Sequence, residues 1–141
     1  MFAAYPRGVQ PPRPETPFDR LGEAFFAELA AGLYAGIASD ARIRAMFPHD
    51  LGPQSPSVAD MREFLVQYFG GPAHYSERKG HPRLRARHMR FPIDQAARDA
   101  WLENALAALD RAAAAHGAGA DDHALVRRYL LEVSQFMINR A

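Results

Sequence analysis

Within GHPRLRARHMRF, residues Gly80 to Phe91, two histidines stand among Arg83, Arg85, Arg87 and Arg90, and Pro92 closes the run. A neutral imidazole can give a lone pair to a metal or carry a proton near neutral pH. Guanidinium groups hold carboxylates and phosphates through paired hydrogen bonds. On a helix Leu84, His88 and Phe91 fall at i, i+4 and i+7 and share one face, while the arginines mostly point elsewhere. Three uses fit such a stretch. One is a core histidine bonded to a carbonyl, on a helix whose other side is solvated. Another is an axial ligand to a flat apolar cofactor with acidic edges. Haem has that character: its iron takes a neutral imidazole, its macrocycle needs apolar walls, and its propionates need Arg, Tyr or His at the pocket mouth. The third, a nucleic-acid surface, needs aromatic platforms beside the arginines, and only Tyr75 lies near enough in sequence.

Composition bounds the protein that must position these groups. The chain has 141 residues, the length of one domain, and 48% of them are hydrophobic, enough to bury a core. Its formal charge is +1, so the arginine run is a local feature, and nucleic acid is not expected as a partner. With no cysteine, disulfides, thiolate zinc sites, iron–sulfur clusters and cysteine nucleophiles are excluded, and metal chemistry falls to histidine and carboxylates. No apolar run is long enough to span a bilayer, and MFAAYPRGVQPPRPETPF lacks the pattern of a signal peptide. A soluble, cytoplasmic protein is expected.

The elements read as helices. Residues 1–17 hold five prolines and are expected to form a flexible extension ahead of a domain at 18–141. Phe25, Leu29, Leu33 and Ile37, with Phe26, Ala30 and Tyr34 beside them, lay a broad apolar stripe on a first long helix. Val58, Met61, Leu65 and Tyr68, with Phe64, make a second, for which Ser55-Pro56 and Ser57 offer caps and Gly70-Gly71-Pro72 a stop. Asp94 caps a third, with Trp101, Leu102, Ala105, Leu106, Leu109 and Ala112 inward; Gly117 and Gly119 end it. Asp121 or Asp122 caps a fourth, carrying Leu125, Tyr129, Val133, Phe136 and Met137. No strand pattern of useful length appears. The fold class is all-α, four substantial helices with an irregular basic segment between the second and third.

The run YFGGPAHYSERKGHPRLRARHMRFPIDQAARDAWL, Tyr68 to Leu102, resembles the central signature of the group II truncated haemoglobins: Gly-Gly-Pro, Tyr-Ser-Glu, His-Pro-Arg-Leu-Arg-x-Arg-His, Phe-x-Ile and Arg-Asp-x-Trp-Leu, in order and at matching spacing. The resemblance extends more loosely over 20–141. It implies a truncated globin, a two-over-two helical sandwich around haem b.

By that resemblance His88 matches the proximal ligand to the haem iron, flanked by Leu84 and Phe91, and Trp101 the distal tryptophan whose indole N–H reaches a bound diatomic ligand. Upstream, LYAGIASDARIRAMFPHD places Tyr34 at the distal tyrosine and Phe47 at the corner aromatic that packs on the haem face, where some relatives have tyrosine. Met61, Phe64 and Leu65 match pocket walls, and Ser57 the position where many globins carry a distal histidine. Tyr75, His81 and Arg85 match the propionate edge. Two positions depart from the pattern: Asp60, where relatives often carry a basic residue, and Gly22-Glu23 in place of Gly-Gly.

The resemblance further implies reversible binding of oxygen, carbon monoxide and nitric oxide, with slow release through Tyr34 and Trp101. It leaves room for a redox enzyme, a nitric oxide dioxygenase or a peroxidase-like activity, served by an unidentified reductase. A haem-free helical interaction module is the remaining reading of the residues alone.

Overall fold

Thr16 opens the first helix by a reciprocal cap: its hydroxyl accepts from the Asp19 amide, and the Asp19 carboxylate accepts from the Thr16 amide. Arg13 grips the same carboxylate with two bonds of 2.8 Å, and with the cap these pull the Asp19 carboxyl down to about 2. The computed structural model describes residues 6–9 and 12–141; the remainder of the proline-rich extension lies outside the described residues. The helices are α1 (Pro17–Leu21), α2 (Glu23–Ala38), α3 (Pro56–Tyr68), α4 (His74–Lys79), α5 (Leu84–His88), α6 (Gln95–His116) and α7 (Ala120–Phe136), with a 3-10 turn at Arg44–Met46. Among the described residues there is no strand.

The first long stripe is buried as its periodicity predicts: Phe25, Phe26, Leu29, Ala30, Leu33, Tyr34 and Ile37 all lie in the core. Small residues on the neighbouring face bring α2 close to α6. A Cβ on Gly32 would sit 3.3 Å from the Ala108 Cβ, and one on Gly36 would sit 2.5 Å from the Asn104 side-chain oxygen. Asn104 in turn donates to Asp40 just beyond the end of α2. That bond and two from Arg42 hold the Asp40 carboxyl well below the usual range, fastening the corner after α2 onto α6. The sandwich is thus α2 and α3 as one pair, α6 and α7 as the other, with α2 on α6 as the most extensive contact.

Caps and stops set the remaining ends. Ser55 caps α3 with Pro56 at its first position, Asp94 caps α6, and Gly117, left-handed at φ 63°, ends it. Gly22 turns between α1 and α2 at φ 85° with Glu23 already helical, so a single glycine suffices for the turn.

Three expectations are corrected. The cap of α7 is Gly119, not Asp121 or Asp122; both acids lie in the first turn, where they complement the helix dipole, and Asp122 pairs with Arg20. The inward face of α7 is centred on Val126, Tyr129, Leu130, Val133, Ser134 and Met137. Leu125 and Phe136 lie roughly a quarter turn away and are 43% and 62% exposed. On α3, Val66 is buried whereas Tyr68 is 55% exposed, its ring centroid 3.9 Å from that of Tyr129. On α7 and α3 alike, a bulky apolar residue expected at the centre of the stripe lies at its edge. The irregular basic segment holds two short helices, α4 and α5.

Candidate functional site

His88 ends α5, and its Nδ1 lies 2.6 Å from the Leu84 carbonyl oxygen one turn back. A carbonyl only accepts, so Nδ1 carries the proton and Nε2 keeps its lone pair. Leu84, His88 and Phe91 all line one cavity of about 370 Å³, so their shared face is real although the helix stops at His88. Tyr34, Phe47, Ser57, Met61, Phe64, Leu65 and Trp101 line the same cavity. Tyr34 and Trp101, 67 positions apart, thereby meet around one mostly apolar space.

Each wall has a local cause. Tyr34 comes from the buried stripe of α2; burial, then the Asp60 carboxylate, pushes its hydroxyl up to about 12, so it remains a donor. Phe47 packs edge-on to Tyr34 with centroids 6.1 Å apart, and Arg44 shapes that corner by donating to the carbonyls of Pro48 and His49. Ser57 follows the Ser55 cap into the first turn of α3 and reaches the wall. Trp101 comes from α6. Among the described residues neither the Tyr34 hydroxyl nor the Trp101 indole hydrogen-bonds to protein, and no fully buried polar side-chain atom goes unpaired. Both donors are therefore left to solvent or to whatever occupies the cavity.

Tyr75, His81 and Arg85 are not part of this wall. Tyr75 is buried against Phe64, edge-on at 5.7 Å, with the Lys79 ammonium above its ring. His81 is exposed and accepts from the Arg83 amide, and Arg85 donates to the carbonyls of Phe136 and Ile138.

Asp60 does line the cavity, but not as a bare acid. Arg78 and Lys79 each bond it at 2.7 Å, and Arg78 also bonds Glu63 at 2.6 Å. Desolvation opposes ionisation of Asp60, yet the two cations outweigh it and hold the carboxyl below its ordinary value. The site's edge is locally neutral.

Sequence reasoning missed the far wall: Ile93, Ala97, Tyr129, Leu130, Val133 and Met137, together with Ile43 and Met46 at the corner. The α7 stripe already carried three of these, Tyr129, Val133 and Met137, without assigning them to the site. It also missed Arg98, which lines the cavity while donating to Ser134 Oγ and the Leu131 carbonyl and so ties α6 to α7.

A flat apolar cofactor fits this donor set. Among the described residues no group of three or more His, Cys, Asp or Glu could hold a bare metal ion, whereas His88 presents one lone pair to an apolar cavity, as suits an iron whose other ligands come from a macrocycle. Four helices in two pairs enclosing such a pocket define a globin of the shortened, two-over-two class. A model of the family described as "Bacterial-like globin" matches residues 16–129. The group 2 truncated hemoglobin YjbI of Bacillus subtilis is 39% identical over 94 residues, 67% of this chain and 69% of that protein. Among solved structures, hemoglobin from the thermophilic phototroph Chloroflexus aurantiacus superposes with a TM-score of 0.82 at 44% identity, covering 90% of this chain and 100% of that one. The truncated oxygen-avid haemoglobin from Bacillus subtilis gives 0.80 at 33%, covering 89% and 100%. The chain belongs to the bacterial-like globin family, as a group II truncated haemoglobin, and membership implies a haem-binding role.

Proposed function

We propose that the chain binds haem b through His88 and takes up oxygen reversibly, releasing it slowly because Tyr34 and Trp101 hold it. The observation that carries this reading is the convergence of three groups on one apolar cavity: a histidine whose Nδ1 is engaged by Leu84, and two donors without a protein partner among the described residues. Haem, when bound, would supply an iron able to take oxygen, carbon monoxide or nitric oxide as a ligand.

The residues do the rest. His88 presents Nε2, fixed by the bond at Nδ1. Leu84, Phe91, Met61, Phe64 and Leu65 exclude water and grip the macrocycle, and Phe47 packs on its face. The Tyr34 hydroxyl and Trp101 indole would donate to a ligand held in the cavity, at about 1 kcal/mol or more apiece. Ser57 stands beside them as a small polar wall. The propionate edge is assigned to Tyr75, His81 and Arg85 by the resemblance alone, since all three lie outside the cavity wall, and residues 18–141 form the working domain.

Absorption spectra of the purified protein, oxidised, reduced and with carbon monoxide, test the reading. A Soret band that shifts with each state and disappears in His88→Ala is expected. A protein that takes up no added haemin would overturn it in favour of a haem-free interaction module.

A further inference from the structure

The helix that carries His88 has little to hold it in place. Alpha5 is five residues long, buries none of them, and starts from Arg83 at φ 44° and ψ 48° without a side-chain cap. One isolated turn fixes several dihedrals for few hydrogen bonds, and a non-glycine residue in the left-handed region adds strain. Within the segment, Arg87 donates to the carbonyls of Pro82 and Lys79. The rest of its hydrogen-bonded support comes from residues 136–140, the last residue of α7 and the four that follow it.

Asn139 makes the central contact. Its side-chain Nδ2 donates to the carbonyl oxygens of His88 at 3.2 Å and Phe91 at 3.0 Å. Its Oδ1 accepts from the Ile93 amide at 3.0 Å, and its own amide donates to the Ile93 carbonyl at 2.9 Å. Two carbonyls on one side and an N–H on the other fix the amide's orientation and use both its donors and its acceptor. No other side chain of this size offers that set: aspartate would set a charge against two carbonyl oxygens, and serine has one donor only. Arg85 adds a second tie from α5, to Phe136 and Ile138.

We propose that Asn139 is a positioning residue for His88, holding the backbone of residues 88–93 so that the imidazole faces the cavity. The proposal rests on the reading that His88 holds haem. The bond at Nδ1 sets the rotation of the ring; Asn139 sets where the turn that bears it sits.

The test uses the full chain with Asn139→Asp, which keeps the shape and reverses the donors, and Asn139→Gln, which keeps the amide. Two readouts are needed: the iron–histidine stretching band of the reduced, ligand-free protein, and hydrogen exchange of the Phe91 and Ile93 amides in the haem-free protein. Asn139→Asp should shift or broaden the band and speed exchange at both amides by roughly tenfold, with Asn139→Gln lying closer to wild type and keeping the proposal testable if the aspartate variant does not fold. An unchanged band alongside faster exchange would overturn it, since Asn139 would then tie down the segment without orienting the ligand. Unchanged exchange would overturn it outright. A wild-type protein with no Soret band on adding haemin would instead refute the haem reading, and the exchange arm would still show whether Asn139 holds the turn.

Discussion

The Nδ1 of His88 and the carbonyl oxygen of Leu84 are 2.6 Å apart on a single helical turn, so the tautomer of the candidate iron ligand is set by backbone rather than by another side chain. Leu84→Ala keeps that carbonyl and removes only wall. The spectra of the haem-loaded variant should match wild type, while haem is lost about tenfold faster, as suits roughly 1–2 kcal/mol of apolar contact. Transfer of haem to an apo-acceptor protein measures this; an altered spectrum would show that the side chain, too, orients the ring.

Tyr34 and Trp101 reach the cavity from α2 and α6, without a protein hydrogen-bond partner among the described residues. Tyr34→Phe and Trp101→Phe should each speed oxygen dissociation by at least about fivefold, and the double variant by more, since each donor is worth about 1 kcal/mol or more. Stopped-flow displacement of oxygen by carbon monoxide gives the rates. Single variants that release no faster would remove these residues from the ligand's binding site.

Because Tyr34 is pushed up from 10.0 to about 12, its hydroxyl keeps its proton across the neutral range, and oxygen release should be flat from about pH 6 to 9 as far as this donor is concerned. The linkage runs one way. Below pH 10 the folded and unfolded chains both hold the proton; between 10 and 12 only the folded chain does, so the stability this group contributes is lost as pH rises through that window. Denaturant titrations of the haem-free protein at rising pH should show a smaller alkaline loss in Tyr34→Phe.

Asp60 is the opposite case. Held below its ordinary 3.8 by Lys79 and Arg78 against desolvation, it contributes stability that is present above the unfolded value and lost as pH falls through the folded one. Its side chain is 29% exposed, so the contribution is screened and below about 1 kcal/mol. Thermal unfolding of Asp60→Asn should show a lower midpoint than wild type at pH 7 and a difference that closes as pH falls below the ordinary carboxylate range. A gap that persists there would mean that packing, not charge, is what the substitution removes.

The comparison with the sequence turns on kinds of information. Caps by Ser55 and Asp94, the α2 stripe and the shared face of Leu84, His88 and Phe91 were legible because each is written within a few consecutive residues. So were most of the walls that a family pattern could place. The edges of the α7 wall were not, because Leu125 and Phe136 are as apolar as Tyr129 and Val133 and only packing decides which of them turn inward. Neither was the neutralisation of Asp60 by Arg78 and Lys79, a contact made across 18 and 19 positions, nor the grip of Asn139 on residues 88–93. Polar contacts of long sequence separation leave no periodicity to read.

Gly70 and Gly117 share a left-handed backbone, at φ 99° and φ 63°, but not their surroundings. A Cβ on Gly117 would meet nothing within 4 Å, so Gly117→Ala bears only the conformational cost, about 1–2 kcal/mol. A Cβ on Gly70 would lie 2.5 Å from the Thr16 Cβ, at the cap of α1, where Phe18 donates its amide to the Phe69 carbonyl. Gly70→Ala must therefore also push α1 off the end of α3, and it should cost clearly more, about 3 kcal/mol or above, by the usual scale of overpacking added to strain. Urea unfolding of the two variants decides it. Equal losses would mean that Thr16 swings away at little cost and that α1, with the Arg13–Asp19 pair, is only loosely joined to the domain; a larger loss at Gly70 would make the Gly-Gly closing α3 the seat on which α1 is built.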